Sequence, residues 1–324
     1  MWRAAYKIRD FFFGEISPLP FVWLRLLLSV VLLLQAAELS NYVPSLFGRM
    51  GFLQSSVNDF FAEAGGNLNL ARVLAQYASQ HAGRYGMTDP IFMQGLFFAY
   101  VLALGALAVG FYTRAASVSS WLLHFLVFGA GHMSSYGVDR FAQSALFFLV
   151  WSPAGASHSW DASRGKSRPQ LSPPPALALR GLQFYLCVAY LGAGVAKAMG
   201  EQWWNGEAIW RAILLTAGAP YQVLWLAHFS WIARLAAWGT IAIEIGYPLL
   251  VWSRRTRGTW VALVVSMHLG IALFLGLTSF AAVMAVLTFC AFGIDERVTA
   301  RSPVPRFEIA VPGLRSRSSR PALS

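Results

Sequence analysis

The stretch from Phe21 to Leu39 reads FVWLRLLLSVVLLLQAAEL. As a helix rising 1.5 Å per residue, it comes close to the ~30 Å of a bilayer's hydrocarbon core. It is too long for the apolar core of a signal peptide, and no small-residue cleavage site follows, so it reads as a retained span. Further apolar segments run over Pro90–Tyr112, Ser117–Ser134, Phe141–Trp151, Pro175–Ala198, Leu235–Trp252, Trp260–Leu277 and Phe280–Phe292. The expected fold is all-α: a polytopic helical membrane protein with about eight transmembrane helices. Phe141–Trp151 and Phe280–Phe292 are short for a full crossing of roughly 20 residues.

Composition agrees. Of 324 residues, 57% are hydrophobic and 12% charged, whereas soluble domains run at about 45–50% and about 25%. So little charge could not cover so much apolar surface in water, which excludes a soluble enzyme, a disordered chain and a disulfide scaffold. The net charge of +11 does not point to nucleic acid, because the basic residues sit in short runs between apolar segments. Cys187 and Cys290 both lie in apolar segments and read as small core residues. The chain has no CxxC motif and no His/Cys cluster, so no metal is expected.

Residues 1–20 form a short basic and aromatic N-terminal segment, expected to lie as a helix on the cytoplasmic leaflet. Residues 21–293 form the transmembrane domain, and 294–324, rich in Pro, Ser and Arg, read as a disordered cytoplasmic tail. Ser40–Asp89 is the longest loop, with one surface helix expected near Leu68–Gln80. Leu224–Ile232 reads as an interfacial or re-entrant piece. With the N-terminus inside, Arg3, Lys7 and Arg9, Arg114, the run Arg164–Arg168, Arg254, Arg255 and Arg257, and the arginines of the tail share the inner side. Arg49, Arg72, Arg84, Arg140 and Arg211 are left outside. This is the positive-inside pattern for an even number of spans. It implies a multi-pass protein of the cell inner membrane with both termini cytoplasmic.

Ionisable groups inside a membrane are costly and mark candidate sites. Lys197 ends the apolar run Tyr185–Ala196 near the outer leaflet, with Tyr190, Ala193 and Gly194 on its helix face. Close approach of another helix there would desolvate the amine and free it to act as a base. Alternatively, Lys197 snorkels to the interface or pairs with Glu201 one turn on. His132, in Gly131–Gly137, reads either as a proton-exchanging partner of that base or as an interfacial histidine held by a serine hydroxyl. Glu244 lies in mid-segment and needs a partner, for which Tyr247 and His268 are the candidates. Arg25 and Arg180, near the ends of their spans, are expected to snorkel to headgroups. Trp203 and Trp204 suit an interfacial belt or a surface for stacking a flat apolar ligand, and Gly206 lets the chain turn into the next helix.

The run from Tyr190 to Lys197, YLGAGVAK, followed by Trp203, Trp204, Asn205, Gly206 and the apolar Ala208–Ile213, resembles the Y-x-x-A-G-x-x-K…W…G signature of the horizontally transferred transmembrane (HTTM) domain. That domain is the membrane portion shared by vitamin K-dependent γ-carboxylases and many bacterial proteins. Gly131–Gly137 resembles the family's histidine segment, and Glu244–Leu249 followed by His268 resembles its E-x-x-x-P helix and the helix after it. The resemblance implies Lys197 as a catalytic base on a reduced quinone of the menaquinone or vitamin K type, with His132 assisting. It also implies O2 and CO2 as co-substrates, and Tyr190, Trp203, Trp204, Glu244 and His268 in substrate binding. Family carboxylases carry a large soluble region after the membrane part. The expected partners are therefore membrane lipids and a separate soluble substrate-binding or substrate protein. The other reading is a non-enzymatic accessory or maturation factor that binds a lipid, peptide or protein partner at the same place.

The topology is directly testable. Reporter fusions or cysteine accessibility should place Asp161–Ser172, Arg254–Arg257 and the C-terminus in the cytoplasm, and Ser40–Asp89 and Gln202–Asn205 outside. A C-terminus found outside would require an odd number of spans and put the Lys197 end on the wrong face.

Overall fold

In the computed structural model, residues 2–47, 89–130, 136–165, 175–215 and 229–296 are described, together with scattered positions between 74 and 86. The described residues are helical, without a strand. An amphipathic helix α1 (Trp2–Phe13) precedes the long apolar α2 (Leu19–Leu39). A 3₁₀ turn (Ser40–Tyr42) leads into the short α3 (Val43–Phe47). There follow α4 (Asp89–Val109), α5 (Thr113–Ala130), α6 (Gly137–Val150) and the single turn α7 (Trp160–Ser163). The second half comprises α8 (Pro175–Ala198), α9 (Glu201–Trp204), α10 (Glu207–Leu215), α11 (Ser230–Leu250), α12 (Arg257–Leu275) and α13 (Thr278–Thr288). A π turn over Phe289–Gly293 closes it.

Among the described residues, four helical stretches are long and apolar enough to cross a membrane: Leu19–Phe47, Asp89–Val109, Pro175–Ala198 and Arg257–Leu275. The protein is accordingly a helical membrane protein. The other principal helices fall short for visible reasons. At 14 and 11 residues, α6 and α13 are short. Serines, Thr113 and His124 dilute α5, while Arg234, Glu244 and Pro248 interrupt α11. Most helix ends lie within a few residues of the apolar segments, and Pro175–Ala198 coincides with α8. The expected surface helix at 68–80 and the piece at 224–232 lie largely outside the described residues.

Helices α4 and α5 pack along each other, as do α8 and α11, while α13 touches α2, α6 and α12. The core is built from Leu24, Leu28, Leu32, Leu104, Leu146, Leu149, Leu182 and Leu287, all essentially without solvent contact. Large apolar side chains such as Leu34, Phe98, Val188 and Leu249 remain exposed. An outward apolar coat over an apolar core is what lipid solvation permits and water does not.

Both arginines expected to snorkel do something else. Arg25 is fully buried. Its guanidinium donates to the carbonyls of Leu107 (2.8 Å) and Ala108 (2.6 Å) at the end of α4, and to Ala154 (3.0 Å) and His158 (2.5 Å) in the loop after α6. The last carbonyls of a helix lack intrahelical donors and carry its negative end, so a five-donor cation fits there. Arg180 is also buried. It forms a forked pair with Glu296 at 2.9 Å through each nitrogen, and it donates to Gln183 Oε1 at 2.7 Å and to the Phe11 carbonyl at 3.2 Å. Glu296 in turn accepts from the Ser17 amide through its carbonyl at 2.8 Å. Arg180 therefore ties α1 and the start of the tail to α8, which brings α1 against the bundle, with Phe12 stacked on Phe184 at 6.2 Å.

A test separates capping from snorkelling. Arg25→Lys keeps the charge but cannot reach four carbonyls, so it should destabilise the purified protein by about 2–3 kcal/mol. Unchanged thermal unfolding of that variant would return Arg25 to the membrane surface.

Candidate functional site

Lys197 sits in the last turn of α8 and Glu244 in the middle of α11. The Lys197 ammonium donates to both oxygens of Glu244, at 2.9 Å to Oε1 and 2.8 Å to Oε2. The lysine side chain keeps 23% of its exposure and the carboxylate 8%. The two helices can approach this closely because of Gly194, three residues before the lysine. A Cβ there would meet Ile245 Cγ1 at 2.8 Å and Glu244 Cβ at 3.0 Å. Pro248, four residues after Glu244, has no N–H to give to the Glu244 carbonyl, so the helix ladder is open at the residue that carries the acid. Trp203 of α9 places its indole 5.2 Å from the Lys197 nitrogen, a cation–π distance. Gly206, with φ +86°, turns the chain out of α9, and a Cβ there would strike the Arg234 backbone at 2.8 Å.

Around the pair lies an aromatic wall. The Tyr190 and Tyr247 rings are 4.4 Å apart, and His268 of α12 stands edge-on to Tyr190 at 6.0 Å, with Phe280 beyond it at 5.7 Å. The Tyr190 hydroxyl shares a hydrogen bond with Thr288 at 3.2 Å. The Tyr247 hydroxyl is buried without a partner among the described residues. His268 Nδ1 lies 2.9 Å from the Val264 carbonyl. A carbonyl only accepts, so Nδ1 carries the proton and Nε2 of the neutral ring is the accepting nitrogen.

The structure therefore gathers Lys197, Tyr190, Trp203, Glu244 and His268 at one place, and it corrects their pairing. Glu244 is bound by Lys197 rather than by Tyr247 or His268, and Lys197 reaches across to α11 rather than to Glu201, four residues on, at the start of α9. Trp204 does not join the cluster. It is half exposed, caps α8 by donating to the Ala198 carbonyl at 2.7 Å, and accepts from Trp238 at 3.0 Å. His132 lies outside the described residues. The sequence reading missed Thr288, although a lone hydroxyl in the apolar run Phe280–Phe292 was a signal for it. Among the described residues no set of His, Cys, Asp or Glu side chains converges in the manner of metal ligands. A groove of about 430 Å³ between α2 and α4, lined by Leu33, Ala36, Phe97 and Val101 among others, shares none of these side chains.

No family model matches the chain, and neither a curated protein nor a solved structure matches it. What the described residues define is a helical membrane protein with a buried ion pair beside an aromatic wall.

Removing one partner of a buried pair strands the other charge, at a cost of about 3–5 kcal/mol when burial is complete. With the lysine partly exposed, Lys197→Met should cost about 2 kcal/mol or more, and Glu244→Gln less, since the amide still accepts from the ammonium. Thermal unfolding in lipid checks this, and equal stability of wild type and Lys197→Met would mean that the pair does not join the helices.

Proposed function

We propose that the chain is a multi-pass protein of the cell inner membrane with both termini in the cytoplasm. Its eight spans are α2, α4, α5, α6, α8, α11, α12 and α13. The distribution of Lys and Arg supports this orientation. The neighbours that bury one face of α6 and α13 support counting these two shorter helices as spans.

Within that frame the chain acts as a proton-abstracting enzyme on a lipid-soluble quinol of the menaquinone or vitamin K type, with chemistry akin to that of the HTTM-domain γ-carboxylases. The observation that carries this reading is the forked contact of Lys197 with Glu244 beside Tyr190, Trp203 and His268. An ammonium is not a base, but here its proton has a destination. One N–H bond breaks as an O–H bond forms on Glu244, and the amine so formed takes the hydroxyl proton of the substrate, which leaves as an anion. In a low-dielectric site the ionic and neutral forms of such a pair lie closer in energy than in water. Flat aromatic walls suit a flat ring, and the partly exposed lysine is reachable from outside the bundle. When bound, the reduced quinone would supply the electrons that reduce O2, with CO2 as the carboxyl source. Lys197 is the base, Glu244 its proton acceptor, and Tyr190, Trp203 and His268 the walls. His132 is the assisting histidine by resemblance alone. A separate soluble protein would present the substrate to be carboxylated.

A second reading has its own support in the same contact. A pair that joins α8 to α11 beside a tight glycine crossing also serves as a clasp. The chain would then be a membrane accessory or maturation factor that binds a lipid, peptide or protein partner.

The two readings part on one assay. The purified protein in lipid, given reduced menaquinone and O2, should yield quinone epoxide detectable by mass spectrometry. Lys197→Ala and Glu244→Gln should lower that yield about 10²–10⁴-fold. Lys197→Arg should not rescue it, because guanidinium keeps its proton while still able to pair with Glu244. Full function with arginine at 197 would leave the accessory reading.

A further inference from the structure

A second buried polar cluster lies in the other half of the bundle, on helices that contribute nothing to the Lys197–Glu244 pair. Gln35 comes from α2, Tyr100 from α4, His124 from α5, and Asp139 and Gln143 from α6. Gln35 and Asp139 are 5% exposed, and Tyr100 and His124 1%. None of these side chains was singled out by its local sequence.

Part of the cluster is bonded within itself. Gln35 Nε2 donates to Asp139 Oδ1 at 3.2 Å, and Asp139 Oδ2 accepts from the Tyr136 amide at 2.9 Å. Gln143 Nε2 donates to the Trp121 carbonyl at 3.3 Å, which turns its Oε1 toward His124 Nδ1 at 2.7 Å. An amide oxygen only accepts, so the His124 proton is on Nδ1 and its Nε2 is an acceptor. Three buried atoms then have no partner among the described residues: His124 Nε2, Tyr100 Oη and Gln35 Oε1. The Tyr100 and His124 rings are 5.7 Å apart, and both lean on Phe128.

Two of these three atoms can only accept, and the third is a hydroxyl that can give. Buried polar groups left unpaired are costly and rare. Three in one cluster describe a small guest that gives at least two hydrogen bonds and meets the Tyr100 hydroxyl as either donor or acceptor. We infer that Gln35, Tyr100 and His124 form a binding site for a small molecule with at least two N–H or O–H donors, either water or ammonium. The guest donates to Gln35 Oε1 and His124 Nε2. Water also accepts from Tyr100 Oη, whereas ammonium, which cannot accept, donates to it. The Asp139 carboxylate beside Gln35 favours a positive guest, and the three-way match favours water; both guests donate to Gln35 Oε1 and His124 Nε2.

The test rests on a sign. If the Tyr100 hydroxyl is simply stranded, Tyr100→Phe removes an unpaired polar group and should leave the melting temperature unchanged or raise it. If the hydroxyl holds a guest, the same change should lower it by about 2–4 °C. Gln35→Met should also lower it, and the double variant should lose little more than the larger single loss. Gln35 and Tyr100 share no bond of their own, so non-additivity reports what lies between them. The full-length protein in lipid nanodiscs would be melted in matched ammonium and potassium chloride. Stabilisation by ammonium alone, lost in Tyr100→Phe, identifies ammonium, whereas coupling without salt preference identifies water. A neutral or stabilising Tyr100→Phe, or strictly additive losses, overturns the site.

Discussion

The arrangement of the second half of the molecule depends on one contact, the ammonium of Lys197 held between the two oxygens of Glu244. Each charge alone would be a burden among apolar helices. Together they neutralise each other, and their positions then constrain everything near them. Gly194 must be small for α8 and α11 to cross so closely, Trp203 lies within cation–π distance of the lysine, and the Tyr190 and Tyr247 rings pack against each other beside the pair. On a soluble protein's surface such a pair would contribute about 0–1 kcal/mol. In this setting, the larger energy lies in the cost of separating it.

Two further cations organise the ends of the bundle in the same way. Arg25 draws the end of α4 and the loop after α6 onto α2 by collecting carbonyls, whereas Arg180 fastens α1 and Glu296 to α8 by a forked carboxylate contact. In each case guanidinium geometry is used, with several donors in one plane meeting several oxygens. The polar groups of the first half, Gln35, Tyr100, His124 and Asp139, carry no cation among them.

Most of the architecture was legible in the sequence, because apolar length is a strong signal in lipid. The whole of α8 and the approximate course of α2, α4, α5, α11 and α12 could be read from hydropathy. Their ends shifted by up to five residues where terminal residues such as Thr113 or Arg257 are polar yet still helical. The site was legible in its membership and not in its bonds. Lys197, Tyr190, Glu244 and His268 each stood out as a polar group in an apolar run, but which of them meet depends on how three helices are rotated against one another. Periodicity within a single helix carries no information on that, which is why Glu201 was the partner considered for Lys197, and Tyr247 and His268 those considered for Glu244. Arg25 and Arg180 misled for a related reason. A charge near a span's end reads as snorkelling unless the carbonyls or carboxylate it will meet, far away in the chain, are known.

The most direct measurement is an exchange of the two charges. Lys197→Glu places two carboxylates together and Glu244→Lys two ammoniums, so each alone should lower expression and thermal stability in lipid sharply. The doubly exchanged protein restores opposite charges across the same crossing, and it should recover most of the lost stability. If the double variant is no more stable than the worse single variant, the charges are not held against each other and the pair does not organise this half of the molecule.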